Sequence, residues 1–307
     1  MMPSYVLVTA AYNEEAFIEK TILSVVGQTH RPTRWVIVSD GSTDRTDDIV
    51  RQYAARNEFI HLLRVVEDHP RNFAAQVNAI NKGVASLTDV HYDFIGNLDA
   101  DISLEPFYYE RLLKNFEGEP SLGLGGGLLH EKVRGEFKPR RPGMLNSIPH
   151  ALHLFRRECY ESIAGYVALP YGGPDTYAEV SARMKGWRVQ VFPELPAYHH
   201  RPTGTAGSIT RHCFRQGLMD YSLGADPLFE VAKCLGRLRQ APYLACGLAR
   251  LSGFLWACFR RERRVASKEF MEFWRAEQVN SMRNLRRKFS GKQANVQAPS
   301  TSGHRDL

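Results

Sequence analysis

Short apolar runs rich in β-formers alternate with segments of helical period through the first hundred residues, a pattern that predicts an α/β domain with parallel strands. Residues 5–9 read as a first strand, and residues 14–28, with Ile18, Ile22 and Val25 at helical spacing, as the helix that follows. Residues 35–38, 60–66 and 94–98 supply three more strands, with helices expected over 44–57 and 73–85. Asp47 and Asp48 fall in the first turn of the second helix, where the helix dipole favours negative charge. Every one of these strands runs into a polar loop at its C-terminal end, the edge at which open α/β sheets bind ligands.

Beyond residue 120 the pattern loosens. Residues 122–129 are Gly-rich and apolar, as expected of a strand that another backbone or a ligand approaches closely. Residues 134–142 read as a basic, Pro-containing loop, 175–185 as a helix ended by Gly186, and 188–192 as a strand. Helices are expected near 208–221, 227–238, 242–260 and 267–288, and residues 290–307, which lack an apolar period, are expected to be disordered. The organisation is therefore an α/β unit over 1–204, a basic helical region over 205–289 and a tail, with no internal repeat.

Composition adds one feature, an uneven charge. Of 40 Lys/Arg and 33 Asp/Glu, 21 and 25 lie in residues 1–199 and 19 and 8 in residues 200–307, so the net +7 is a −4 body joined to a +11 tail. That division argues against a basic nucleic-acid-binding globule and for a cationic region that meets something anionic. No cationic leader precedes the first apolar run and no stretch of about 18 apolar residues occurs, so neither a signal peptide nor a membrane span is expected. Residues 241–259 carry Arg250 as their single charge between arginine clusters, which fits either an interfacial segment or a buried helical hairpin. Five cysteines without a Cys-x-x-Cys pair speak against a disulfide framework or structural zinc, and for a reducing cytoplasm.

Three strand ends carry candidate chemistry. Asn97-Leu98-Asp99-Ala100-Asp101 offers two carboxylates two residues apart, which in an extended chain point the same way. Converging hard oxygens suit Mg²⁺ or Mn²⁺ bridging a diphosphate. In Ser39-Asp40-Gly41-Ser42-Thr43-Asp44, Gly41 permits a sharp turn that leaves Asp40 at the sheet edge as an acceptor for ring N–H or ribose hydroxyls, and Ser42, Thr43 and Asp44 suit a helix N-cap. In Tyr12-Asn13-Glu14-Glu15, Asn13 suits an N-cap, Glu15 the helix dipole and Tyr12 either the core or a stack on a flat ring.

In this order and at these intervals, Val8 to Glu15, Ser39 to Asp44 and Asp99-Ala100-Asp101 resemble the family 2 glycosyltransferases of GT-A fold, a Rossmann-like core. The likeness covers about residues 4–200 and implies an inverting hexosyl transfer from a nucleotide-sugar, UDP-linked by expectation, to the hydroxyl of a glycan or lipid-linked acceptor. It further implies a divalent cation and a part in cell-surface polysaccharide or glycolipid synthesis. By the same likeness Tyr12, Glu14 and Asp40 hold the nucleoside, Asp99 the ribose or sugar side, and Asp101 the metal. Ala10 stands where the family commonly has Pro, and Ser39 where it has the first of two Asp.

Inverting displacement needs a base on the face opposite the leaving group. The family's Glu-Asp motif opens a helix closed by a Gly eleven residues on, and Asp175 to Gly186 has that spacing with Pro174 for the Glu. Asp175 is the expected base, with Glu179 one turn later in reserve. In Tyr198-His199-His200-Arg201, an imidazole can complete the metal shell, His200 being the ring chosen, and Arg201 can pair with the diphosphate. Arg71 and Asn72 are further candidates for phosphate contact. The expected setting is cytoplasmic, with peripheral contact to an anionic membrane surface. The rival readings are a nucleotidyltransferase, for which a Gly-rich basic loop near the N-terminus is missing, and a non-catalytic membrane-surface adaptor, against which the Asp99/Asp101 pair argues.

Overall fold

The computed structural model describes residues 2–65, 73–133, 135–139, 147–201, 208–237 and 244–289. Arg71, Asn72, the loop residues 140–142 and the tail 290–307 lie outside the described residues. Strands β1 (Tyr5–Ala11), β2 (Arg34–Asp40), β3 (Ile60–Val65) and β4 (Phe94–Asn97) pair in parallel in the order β3-β2-β1-β4. Helices α1 (Ile18–Val26), α2 (Thr46–Ala54) and α3 (Phe73–Ala85) connect them, as the alternating pattern predicts. Parallel strands need such crossovers, and both faces of the resulting sheet are covered. Hence β1 and β2 read as nearly unbroken buried runs, with Tyr5, Leu7, Trp35 and Ile37 fully enclosed.

The second half of the sheet comes from strands that the pattern shows poorly. β5 (Ile102–Leu104), α4 (Tyr108–Glu117), β6 (Leu122–Val133), β7 (Glu136–Pro139), β8 (Leu154–Arg156), α5 (Arg157–Ser162), α6 (Pro174–Met184) and β9 (Arg188–His199) follow in chain order. The sheet continues from β4 as β8-β6-β9-β5, with β7 on β6. Glu136–Pro139, expected in a loop, closes a hairpin on β6. The Gly-rich stretch within β6 does meet another backbone, since the Leu195 carbonyl lies 2.1 Å from where a Cβ on Gly127 would stand. β9, expected to stop at Phe192, runs on to His199 because a register shift against β6 between Gly127 and Leu128 absorbs the prolines. Helix α1 begins at Ile18 rather than Glu14, with no side-chain cap, so Asn13 has another task.

Helices α7 (Ile209–Ser222), α8 (Pro227–Arg237), α9 (Ala245–Phe259) and α10 (Lys268–Phe289) form the C-terminal region. Their core, with Tyr221, Phe254, Phe270 and Trp274, recruits Leu169 and Val180 from the α/β part. On α10, Glu277 accepts two hydrogen bonds from Arg183 of α6, and Gln278 accepts one from the Asp226 amide, so this segment docks the last helix. α7 and α9 touch backbone to backbone, because a Cβ on Gly217 or Gly253 would lie within 2.0 Å of a carbonyl of the facing helix. Close approach also brings Cys213 and Cys246 into a disulfide, contrary to the composition-based expectation. The pairing was invisible in spacing alone, since helix packing sets it. Arg250 is buried and ion-paired with Asp220 and Glu230, so the inner face of α9 belongs to a helical hairpin. Among the described residues no helix is long and apolar enough to cross a membrane.

Candidate active site

The C-terminal ends of β1, β2 and β4 converge on one cleft because the loops that follow are stitched together. Asn13, at φ 52°, accepts the Thr43 N–H through its side-chain oxygen (2.8 Å), while its own amide donates to Ser42 Oγ (3.2 Å). The Glu14 amide donates to Thr46 Oγ1 (2.7 Å), and Glu15 exchanges hydrogen bonds with the Asp44–Arg45 turn. Asp44 accepts from the amide of Thr46, the first residue of α2 (3.0 Å), from the position before the N-cap, which Arg45 occupies. Asn13 and Glu15, expected at a helix terminus, instead bind the first strand end to the second.

The acidic loop is held from both sides. Thr21 of α1 donates to the Ala100 carbonyl (2.8 Å), and the His200 amide donates to the Asp101 carbonyl (3.0 Å) where β5 pairs with β9. Asp99 and Asp101 sit on a turn closed by Ile102 N–H to Asp99 O (3.3 Å), so their convergence comes from that turn and not from an extended strand. Gln76 of α3 donates to Asp99 Oδ1 (3.0 Å).

The cleft has a volume of about 330 Å³. It is lined by Tyr12, Glu14, Asp40, Gln76, Asp99, Asp101 and Arg201 among small alanines. Six of the residues chosen from sequence, Tyr12, Glu14, Asp40, Asp99, Asp101 and Arg201, thus meet in one place. Arg201 pairs with Glu14 and lies 3.6 Å from Asp101. Burial, with the charges of Asp101 and Asp99 adding to it against the opposing pull of Arg201, lifts Glu14 to about 7. Burial followed by the Asp101 charge lifts Asp99 to about 7. Four carboxyl groups against one guanidinium leave a surplus of acidic groups, whose charge a cation relieves.

The histidine at this site is His199. Its Nε2 lies 3.2 Å from Asp101 Oδ2, and although burial works against the charged ring, the Asp101 carboxylate raises its affinity for a proton. His200, the ring chosen from sequence, faces the other side of β9, where its Nε2 is 2.8 Å from Ser103 Oγ and its ring meets Phe137 edge-on. Successive strand residues point to opposite faces, so only one of two adjacent histidines can reach the acids. Among the described residues no group of three or more His, Cys, Asp or Glu is arranged to hold a metal ion. The chain offers an Asp101–His199 pair, a set that fits Mg²⁺ or Mn²⁺ when donor phosphate and water supply the other positions.

Asp175 and Glu179 are not part of the cleft wall. Asp175 is half-buried in the first turn of α6 and accepts the Thr176 amide (2.8 Å). The buried Tyr166 hydroxyl is held above its usual range by burial, and the charges of Asp99, Asp175 and Glu179 add to that. Glu179 is buried, 3% exposed, and its Oε1 accepts from the Ile148 amide (2.6 Å) and Ser147 Oγ (3.0 Å), which makes it the clamp of the 147–148 segment. Burial, then the Asp175 charge, lifts it from 4.5 to about 7. A carboxyl with a raised folded value takes up a proton on folding, so this contribution favours the fold below pH 4.5 and is lost as pH rises through 7. Glu179→Gln keeps the acceptor oxygen. It should therefore gain stability relative to the parent between these limits, by at most about 3 kcal/mol, whereas Glu179→Ala should lose stability throughout. Urea denaturation at pH 5 and pH 8 checks this, and a pH-independent difference for the Gln variant contradicts it.

Reasoning from sequence missed the layer beneath. Asn97 donates to the His150 carbonyl (2.7 Å) and reaches toward Asp99 (3.4 Å), while His153 bonds Tyr166 (2.8 Å). Burial, and then the neighbouring His153, pushes His150 down to about 3, and burial pushes His153 to about 4, so both rings are neutral. The Asn97–His150 contact joins residues 53 apart in the chain and has no local signature.

Solved structures share this architecture. Mannosyltransferase PcManGT from Pyrobaculum calidifontis, in complex with GDP-Man and Mn²⁺, aligns with a TM-score of 0.55 at 18% identity over 95% of this chain and 89% of that one. S. aureus TarS 1-349, in complex with UDP-GlcNAc, aligns with a TM-score of 0.53 at 15% identity over 92% and 81%. At these identities the likeness shows the fold, which is GT-A. In sequence the chain is similar to poly-β-1,6-N-acetyl-D-glucosamine synthase of Staphylococcus aureus (strain COL), 31% identical over 205 residues, which is 60% of this chain and 47% of the relative. A synthase of the same description from Staphylococcus epidermidis is 26% identical over 161 residues, 52% of this chain and 35% of the relative. The match thus spans about half or less of those relatives' length. Residues 6–169, more than half of the chain and all of its acidic cleft up to Asp101, match the model of glycosyl transferase family 2, and the chain belongs to that family.

Proposed function

We propose that the chain moves a hexosyl unit from a UDP-linked sugar to an acceptor hydroxyl, with inversion, in the synthesis of a cell-surface polysaccharide or glycolipid. The observation that carries this reading is the meeting of Tyr12, Glu14, Asp40, Asp99, Asp101 and Arg201 in one cleft at the strand ends. Nucleotide-sugars in the two structural neighbours and the polysaccharide-making relatives support it.

In this reading Tyr12 and Asp40 engage the nucleoside, Asp40 accepting from ring N–H or ribose hydroxyl, and Asp99 holds the ribose or sugar side. Glu14 orients Arg201, which turns from the carboxylates to the incoming diphosphate as a bidentate donor. Asp101 and His199 hold a divalent cation, which when bound supplies neutralisation of charge on the departing diphosphate. Asp175 takes the acceptor hydroxyl's proton. The buried Glu179 keeps the neighbouring segment in place and leaves that role to Asp175.

Thermal unfolding with a panel of nucleotides and nucleotide-sugars, with and without Mn²⁺, tests the donor. A ligand at a hundred times its dissociation constant stabilises by about 2.7 kcal/mol, so UDP-sugars with Mn²⁺ should raise the midpoint by several degrees and UMP much less. Stabilisation by nucleoside triphosphate with pyrophosphate release would sink the transferase reading in favour of a nucleotidyltransferase.

A further inference from the structure

Helix α9 is apolar on two faces and uses one of them. Gly247, Arg250, Gly253, Phe254 and Ala257 face inward, with the single charge satisfied by Asp220 and Glu230. On the opposite side Leu248, Leu255, Trp256 and Phe259 are each more than half exposed, Phe259 by 85%, and recur at helical spacing. α8, which packs on α9, exposes Leu228, Val231 and Leu235 in a stripe of its own. A soluble monomer rarely leaves so much clustered apolar area to water unless something covers it.

The rim identifies what does. Arg260, Arg261, Arg263 and Arg264 follow α9 directly, opposed only by Glu262, and the Arg260 guanidinium lies over the Trp256 ring, 5.6 Å from its centroid. An indole beside arginines at the edge of an apolar face is the arrangement found at headgroup depth, where the ring is half in hydrocarbon and the cations meet lipid phosphate. A second copy of the chain fits less well, because a parallel two-fold contact on α9 would bring the two arginine rims together and an antiparallel one would offer them no acidic residue on the facing helix.

We propose that the outer face of α9, with the Arg260–Arg264 rim, seats the protein on the surface of an anionic phospholipid bilayer without crossing it. The cationic balance of residues 200–307 is then a docking charge, and the face lies apart from every residue assigned to the cleft.

Co-sedimentation of the full chain with phosphatidylcholine vesicles, with and without phosphatidylglycerol, tests this. The parent should pellet with the anionic vesicles, less so as salt is raised, and stay in the supernatant with neutral ones. Leu255→Ser/Phe259→Ser and Arg260→Ser/Arg261→Ser/Arg263→Ser should each weaken binding by ~tenfold or more. Exposed positions make these changes mild for folding, and an unchanged unfolding midpoint and UDP-sugar response would show that the cleft is intact. The proposal is overturned if the parent ignores anionic vesicles, or if either variant binds them as the parent does. It is overturned equally if sedimentation velocity finds a dimer that Phe259→Ser dissolves while vesicles have no effect.

Discussion

Asp101→Asn is expected to lower turnover of a UDP-sugar with saturating Mn²⁺ by about three orders of magnitude, roughly 4 kcal/mol of transition-state stabilisation. The substitution keeps size and hydrogen-bonding capacity at a position only 8% exposed, so the fold should survive. What it removes is the charge that His199 and Arg201 both address. Metal affinity should fall with it, because a two-ligand protein site leans on its one carboxylate. Titrating Mn²⁺ in the presence of UDP, by calorimetry, separates the two effects. The parent should saturate and the variant should not, while UMP, which lacks the β-phosphate, should bind both alike. A variant that turns over normally with unchanged Mn²⁺ dependence would move the cation to another group. His200→Ala, by contrast, should leave Mn²⁺ affinity unchanged, because that ring faces Ser103 and Phe137.

That contrast shows where sequence reasoning succeeds and where it stops. The first four strands are short apolar runs with polar ends, and the ends of β1, β2 and β4 reached the cleft because a buried parallel strand has one direction in which to deliver them. Tyr12, Glu14, Asp40, Asp99 and Asp101 were legible for that reason. The choice between His199 and His200 was not, since it depends on which face of β9 meets the acidic loop. The Ile102–His199 register sets that face through a pairing ninety-odd residues distant. Pro193 and Pro196 hid the strand that ends on His199, as a register shift can keep a proline-containing segment in a sheet. Gln76 and His150 reach the site through tertiary contacts alone. Residues 274–278, to which no mechanism can be assigned from sequence, prove to be a docking segment, with Trp274 in the second core and Glu277 on Arg183.

Asp175→Asn should lose turnover by a factor of about 10² to 10⁴, the range that a positioned general base supplies, while UDP-sugar affinity stays within twofold of the parent's (about 0.4 kcal/mol). The donor contacts proposed for Tyr12, Glu14, Asp40 and Arg201 lie in the cleft wall, and Asp175 does not. An effect confined to turnover is therefore the signature of a group that meets the acceptor. Asn preserves the short contact to the Thr176 amide through its carbonyl oxygen, so the first turn of α6 should hold. Glu179→Gln supplies the control on the same helix. It also neutralises a carboxylate, but one that is 3% exposed and already engaged by the Ile148 amide. If Asp175 is the base, Glu179→Gln should transfer sugar at close to the parent rate while Asp175→Asn does not. The opposite ranking would assign proton removal to Glu179 and make Asp175 the first-turn acceptor of α6 alone. Donor hydrolysis sharpens the test, since water can enter where the acceptor hydroxyl binds and needs the same proton taken. Asp175→Asn should depress hydrolysis and transfer in parallel, whereas a variant that merely displaced the acceptor would depress transfer and spare hydrolysis.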